Sequence, residues 1–139
     1  MDKQLIHEKL ESLRKCVARI QNKCPKIPEK LHSDPDLQDI ISVNLIRAVQ
    51  ISVDIAAHII SSSESDVPST MGDMFTTLYK LGVLDQNIST SMRNSVGFRN
   101  IATHNYDEID WDIVYAICSE HLIDFKSFAA AMDRQLENI

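Results

Sequence analysis

Residues Asp36 to Ser62 read DLQDIISVNLIRAVQISVDIAAHIISS. Ile40, Ile41, Val43, Leu45, Ile46, Ala48, Val49, Ile51, Val53, Ile55, Ala56, Ala57, Ile59 and Ile60 leave little of a helix surface polar. A helix that is apolar over most of its circumference is buried on more than one side. This segment is therefore expected to be a helix of an all-α domain buried on more than one side, and in a domain this small a second subunit is one way to cover a side. Within it Asn44, Arg47, Asp54 and His58 fall on one narrow line.

Outward from that centre the helical signals continue. Upstream, Ile6, Leu10, Leu13, Val17 and Ile20 form a stripe at spacings of three and four, which predicts a helix from about Asp2 to Asn22. Pro25 and Pro28 must break it, and residues 24–35 are expected to be a connector. Its end, Ser33-Asp34-Pro35, has the form of an N-cap followed by proline in the first turn. Downstream, a third helix is expected from Ser69-Thr70 to Gly82, a fourth over Gln86–Thr103, and a fifth from Asp110 to about Glu137. Asp107, Glu108, Asp110 and Asp112 surround the start of the fifth, where acids cap a helix and offset its dipole. No segment alternates as a strand. The expectation is a single domain, residues 1–139, folded as an antiparallel bundle of about five helices.

Composition agrees. Only 3 glycines and 4 prolines occur in 139 residues, which favours long helices over many short strands. No uninterrupted apolar run looks long enough to cross a bilayer, and the charged N-terminus is unlike a signal peptide. The 3 cysteines, Cys16, Cys24 and Cys118, have no CxxC spacing and read as reduced thiols of a cytoplasmic protein. No His or Cys pair has zinc-ligand spacing, so neither metal nor cofactor is expected. The net charge of −6 weighs against nucleic acid as a ligand unless a local basic site does the binding.

Chemistry concentrates in the fourth helix, at Arg99-Asn100-Ile101-Ala102-Thr103-His104-Asn105-Tyr106. An arginine that keeps its charge and an imidazole that titrates near neutrality suit phosphodiester chemistry. RNA cleavage by the ribose 2′-hydroxyl needs a group to move protons, here His104. It also needs a fixed positive fork on the non-bridging oxygens, here Arg99. The nucleophile is internal, so no metal-activated water is required. On an ideal helix Arg93, Asn100 and His104 lie within about 20° of one line, and Arg99 about 140° from His104. Gly97, near the line, leaves room for close approach. Asn105 is expected to close the helix in a left-handed conformation. Asn100 either holds a phosphate or orients His104. Asp54 either orients the catalytic pair or belongs to a solvated stripe, and Arg47 reaches a phosphate, a partner or solvent.

At these residues the chain resembles the HEPN superfamily, and within it the HepT-like toxins. The superfamily motif is Arg, a polar residue, a few variable positions, then His. Arg99-Asn100 and His104 match it, and Tyr106 matches the x-Tyr extension of the HepT branch. The stretches 45–56, 81–84, 92–100 and 107–110 also resemble that branch, and the similarity spans roughly residues 5 to 130. It implies a homodimer whose paired Arg and His elements share a cleft, and metal-independent RNA cleavage as a toxin of a type II-like toxin–antitoxin pair. It also implies an MNT-type nucleotidyltransferase antitoxin that adds AMP to the Tyr106 hydroxyl, bringing negative charge and bulk beside His104. Two copies of Arg93, Arg99 and His104 at one seam would make a local positive site on an acidic body. The competing expectation is a non-catalytic helical module that binds a nucleotide or holds a nucleotidyltransferase.

Overall fold

A computed structural model describes residues 1–138, and they form helices and turns without strands. The long elements are α1 (Lys3–Lys23), α3 (Pro35–Ser62), α4 (Met71–Lys80), α5 (Gln86–His104) and α7 (Leu122–Glu137); α2 (Pro28–Ser33) and α6 (Trp111–Ala116) are short. Local chemistry sets where they start. Asp2, Asp34, Thr70, Asp85 and Asp110 each accept a hydrogen bond from a backbone N–H of the first turn of the helix they precede. Each satisfies a donor that the helix cannot satisfy itself.

Helix α3 is the centre, packed along α1 and against α4 and α5, while α7 closes the bundle against α1 and α5. Short connectors between packed neighbours give the antiparallel arrangement. Ile41, Leu45, Ala48, Val49, Ile55, Ala56, Ile59 and Ile60 are almost wholly buried, and Phe75 meets Phe128 edge-on at 5.6 Å. Ile40 and Val43, near the start of α3, stay exposed, so part of its apolar surface faces outward.

Three expectations need correction. The connector 24–35 is not structureless: Pro28 opens α2 at the one helical position where a missing N–H costs nothing. Leu31 of α2 is fully buried, and the Gln38 side-chain amide donates to the carbonyls of Leu31 and His32, fastening α2 to α3. The third helix does stop at Gly82 as expected: Leu81 follows Lys80 as the C-cap, and Gly82 turns the chain with a φ of 77°. The last helix is interrupted by a π-helical turn, Ile117–His121. Finally, α3 does pass for a membrane span by length and hydropathy, because its polar residues are widely spaced. More than half of its most apolar window is buried inside the bundle, as expected of a core helix.

Candidate functional site

Helix α5 starts at the Asp85 cap and ends at His104, so Arg99 and His104 both lie on regular helix. Asn105 closes it with φ −140° and ψ 57°, its N–H reaching the Ile101 carbonyl at 2.8 Å. That is not the left-handed cap expected. The chain instead folds into a 3₁₀ turn, Tyr106–Glu108, fixed by the Glu108 N–H on the Asn105 carbonyl at 2.8 Å. Regular helix up to His104 keeps the wide angle between Arg99 and His104.

Arg99 is half-buried and turns toward α3. Its Nη1 donates to Asn100 Oδ1 at 3.1 Å and its Nη2 to Gln50 Oε1 at 3.4 Å. The same Gln50 amide donates through Nε2 to Asp54 Oδ1 at 3.4 Å, and Lys9 on α1 sits 3.7 Å from the other Asp54 oxygen. A line of polar groups thus runs Lys9, Asp54, Gln50, Arg99, Asn100 across three helices. Arg99 Nε is buried without a hydrogen-bond partner. Asp54 therefore acts on Arg99 through Gln50 rather than by touching it. His104 is exposed, with no side-chain hydrogen bond or ion pair among the described residues. Within one chain it does not meet Arg99.

Arg93 shares the Asn100–His104 line but faces α4, where its Nη1 binds Thr76 Oγ1 at 2.6 Å and Asp73 Oδ1 at 3.1 Å. Both ion-pair partners are about half exposed. Arg47 is exposed and lies near enough to α1 for its charge to act on Cys16. It joins none of the hydrogen bonds around Arg99. Around Gly97 an added Cβ would meet nothing within 4 Å, so that strip of α5 is open surface. The same strip borders an apolar groove of about 500 Å³ among Leu45, Val49, Gly97, Phe98, Ile101 and Phe125, whose lining includes none of Arg47, Asp54, Arg93, Arg99, Asn100, His104 and Tyr106.

Tyr106 leaves the 3₁₀ turn back toward the start of α3. Its hydroxyl donates to Asp39 Oδ1 at 2.6 Å and its ring stands edge-on to Trp111, with centroids 5.9 Å apart. Burial, and then the Asp39 carboxylate, push the phenol up to about 12, and Ser42 pulls it weakly the other way. Gln50 and Asp39 are the site residues that sequence reasoning missed. Gln50 carried a faint signal, the four-residue spacing to Asp54 that places both on one helix face. Asp39 carried none. Among the described residues no group of three or more His, Cys, Asp or Glu side chains is close enough to hold a metal ion.

The family described as ribonuclease HepT-like matches residues 6–132 of this chain. An mRNA nuclease HepT of Shewanella oneidensis is 34% identical over 124 residues, which is 89% of this chain and 92% of that one. A tRNA nuclease HepT of Aphanizomenon flos-aquae is 28% identical over 100 residues, covering 71% of this chain and 68% of its own. Among solved structures, a tri-AMPylated Shewanella oneidensis HEPN toxin in complex with an MNT antitoxin superposes with a TM-score of 0.89. It is 32% identical and covers 96% of this chain and 99% of the other.

Proposed function

This chain belongs to the HepT-like ribonuclease family, and on that premise we propose that Arg99 and His104 cut RNA in a cleft shared by two copies of the chain. The protein is a ribonuclease toxin of a toxin–antitoxin pair, neutralised by AMP addition from a nucleotidyltransferase. The reading of its site rests on one observation. The Arg99 guanidinium is held by two neutral amides, and no carboxylate pairs with it among the described residues. Amide dipoles fix its direction and leave its full charge available to a phosphate. Arg93, paired with Asp73, has no such surplus.

In this reading Arg99 binds the non-bridging oxygens as negative charge builds on phosphorus. His104, unpartnered and exposed, exchanges the protons of the 2′-hydroxyl or the leaving 5′-oxygen. Asn100 orients the Arg99 fork. Asp54 steadies it through Gln50, and Arg93 and Arg47 lie further out as charges along the RNA path. The 2′-hydroxyl is the nucleophile, so the reaction runs without a metal and leaves a 2′,3′-cyclic phosphate and a 5′-hydroxyl. Arg99 and His104 diverge within one chain, so the pair that acts on one linkage comes from two. AMP on Tyr106 would place phosphate charge at the end of the same helix.

The test is complementation in EDTA. Arg99→Ala and His104→Ala should each lose at least about a hundredfold in cleavage while remaining folded. A mixture refolded together should regain part of the activity, because a mixed dimer keeps one Arg99 facing one His104. Loss of dimerisation in both single variants would assign them to the scaffold. Lack of any recovery from a proven mixed dimer would put the pair within one chain.

A further inference from the structure

The phenol of Tyr106 is not simply exposed at the end of α5. It meets a carboxylate 67 positions earlier in the chain, at 2.6 Å. Tyr106 is 39% exposed and Asp39 lies on the surface, so a second enzyme can reach both. One turn further along α3 is Ser42, only 1% exposed, whose Oγ has no hydrogen-bond partner. Its pull on the phenol, opposite in sign to that of Asp39, marks it as facing the same oxygen. Two oxygen groups on one helix face therefore flank a single hydroxyl, one as acceptor and one as unused donor.

Resting on the reading of Tyr106 as the AMP acceptor, we propose that Asp39 is the base that takes the phenolic proton as Tyr106 attacks a nucleoside triphosphate, so that the toxin supplies part of the catalysis of its own silencing. A phenol held near 12 is ionised to only about one part in 10⁵ at neutral pH. The attacking species is therefore the neutral hydroxyl, and its proton must depart as the new bond forms. The Tyr106 oxygen bonds to the α-phosphorus. The bond from that phosphorus to the bridging oxygen breaks, and pyrophosphate leaves with the electron pair. The proton passes along the existing hydrogen bond to Asp39 Oδ1 and from there to water. Ser42 donates to the tyrosyl oxygen while it carries negative charge. The other ionisable groups nearby in the fold are Asp36 on α3, His104 at the end of α5, Asp107 and Glu108 on the 3₁₀ turn, Asp110 at the start of α6, and the His32–Asp112 pair joining α2 to α6. Of the charges around it, Asp39 is the one that acts on the phenol.

The experiment measures the initial rate of the first AMP addition by intact mass. It uses the purified chain, ATP with Mg²⁺, and an MNT-type nucleotidyltransferase antitoxin. Asp39→Asn should slow the first addition about a hundredfold at pH 7.5, the low end of general-base effects. The variant rate should climb as pH rises toward 10, since without the Asp39 charge its phenol gives up the proton more readily, although burial still holds it up. Asp39→Glu should recover much of the wild-type rate, which a merely structural role would not predict. Equal rates for wild type and Asp39→Asn, with a flat ratio across pH, overturn the proposal and leave Tyr106 as acceptor. An unmodified wild-type chain, or AMP on the Tyr106→Phe variant, overturns the acceptor reading and this inference with it.

Discussion

Arg99 and Arg93 are the same residue type on one helix, and their neighbours give them different work. Arg93 meets Asp73, so its charge is largely met within the chain, in an exposed pair that solvent screens and that adds little to stability. Arg99 meets only amide oxygens, which orient a guanidinium without offsetting its charge. Gln50 holds Arg99 with one end of its amide and Asp54 with the other, so its direction is fixed from both sides. Replacing Gln50 by Leu keeps much of the volume and removes both bonds. We expect kcat for RNA cleavage to fall about tenfold with KM nearly unchanged, because charge for binding remains and alignment in the transition state is lost. Single-turnover kinetics on a defined RNA check this, and a change confined to KM would mean that Gln50 serves binding instead. Arg99→Lys should be nearly as damaging as Arg99→Ala, since an ammonium cannot present two parallel donors to a phosphate.

Helix α5 carries Arg99, Asn100 and His104, so whatever fixes its ends fixes their placement. At its start Asp85 accepts from the Ile88 N–H at 2.8 Å, and Asp85→Ala should cost about 1 kcal/mol of unfolding free energy, read from urea denaturation. The motif lies some turns away, so a variant that keeps its fold should keep its cleavage rate. Caps and stripes of this kind are local, and that is why the long helices could be read from the chain within a residue or two. Arg99, Asn100 and His104 could be picked out as candidates for the same reason: one helix carries them all. The features that stayed hidden depend on distant partners. Pro28 looked like a breaker because nothing nearby shows that Leu31 will be buried beneath α3. The π-helical turn at 117–121 has no compositional mark. Gln50 lies 49 positions from Arg99 and Asp39 lies 67 from Tyr106, so no window on the sequence holds either pair.

At the scale of the molecule, an acidic body with a net charge of −6 keeps non-specific RNA contact low and leaves attraction to local sites. The same charge balance limits how far pH can rise before the fold gives way. Cys118, buried in the π-helical turn, has its thiol pushed up to about 12 from the usual 9, first by burial and then by Cys24 beside it. Tyr106 is raised from 10 to about 12. For both groups the folded state holds the proton more tightly than the unfolded chain does. Below pH 9 both states are protonated and the contribution is complete. Between about 9 and 12 the unfolded chain loses its protons first, so stability must fall as pH rises through that window. Each proton lost also adds negative charge to a chain that already carries an excess. Unfolding free energy from urea titrations should thus be level from pH 7 to 8.5 and decline steadily from 9 upward. Cys118→Ala should lessen that slope, because it removes the most strongly raised thiol while Cys16 and Cys24 keep theirs, and Asp39→Asn should remove only the smaller share of the Tyr106 part that the carboxylate adds to burial. A Cys118→Ala variant that declines as steeply as the wild type would shift the cause from the thiol to general charge repulsion.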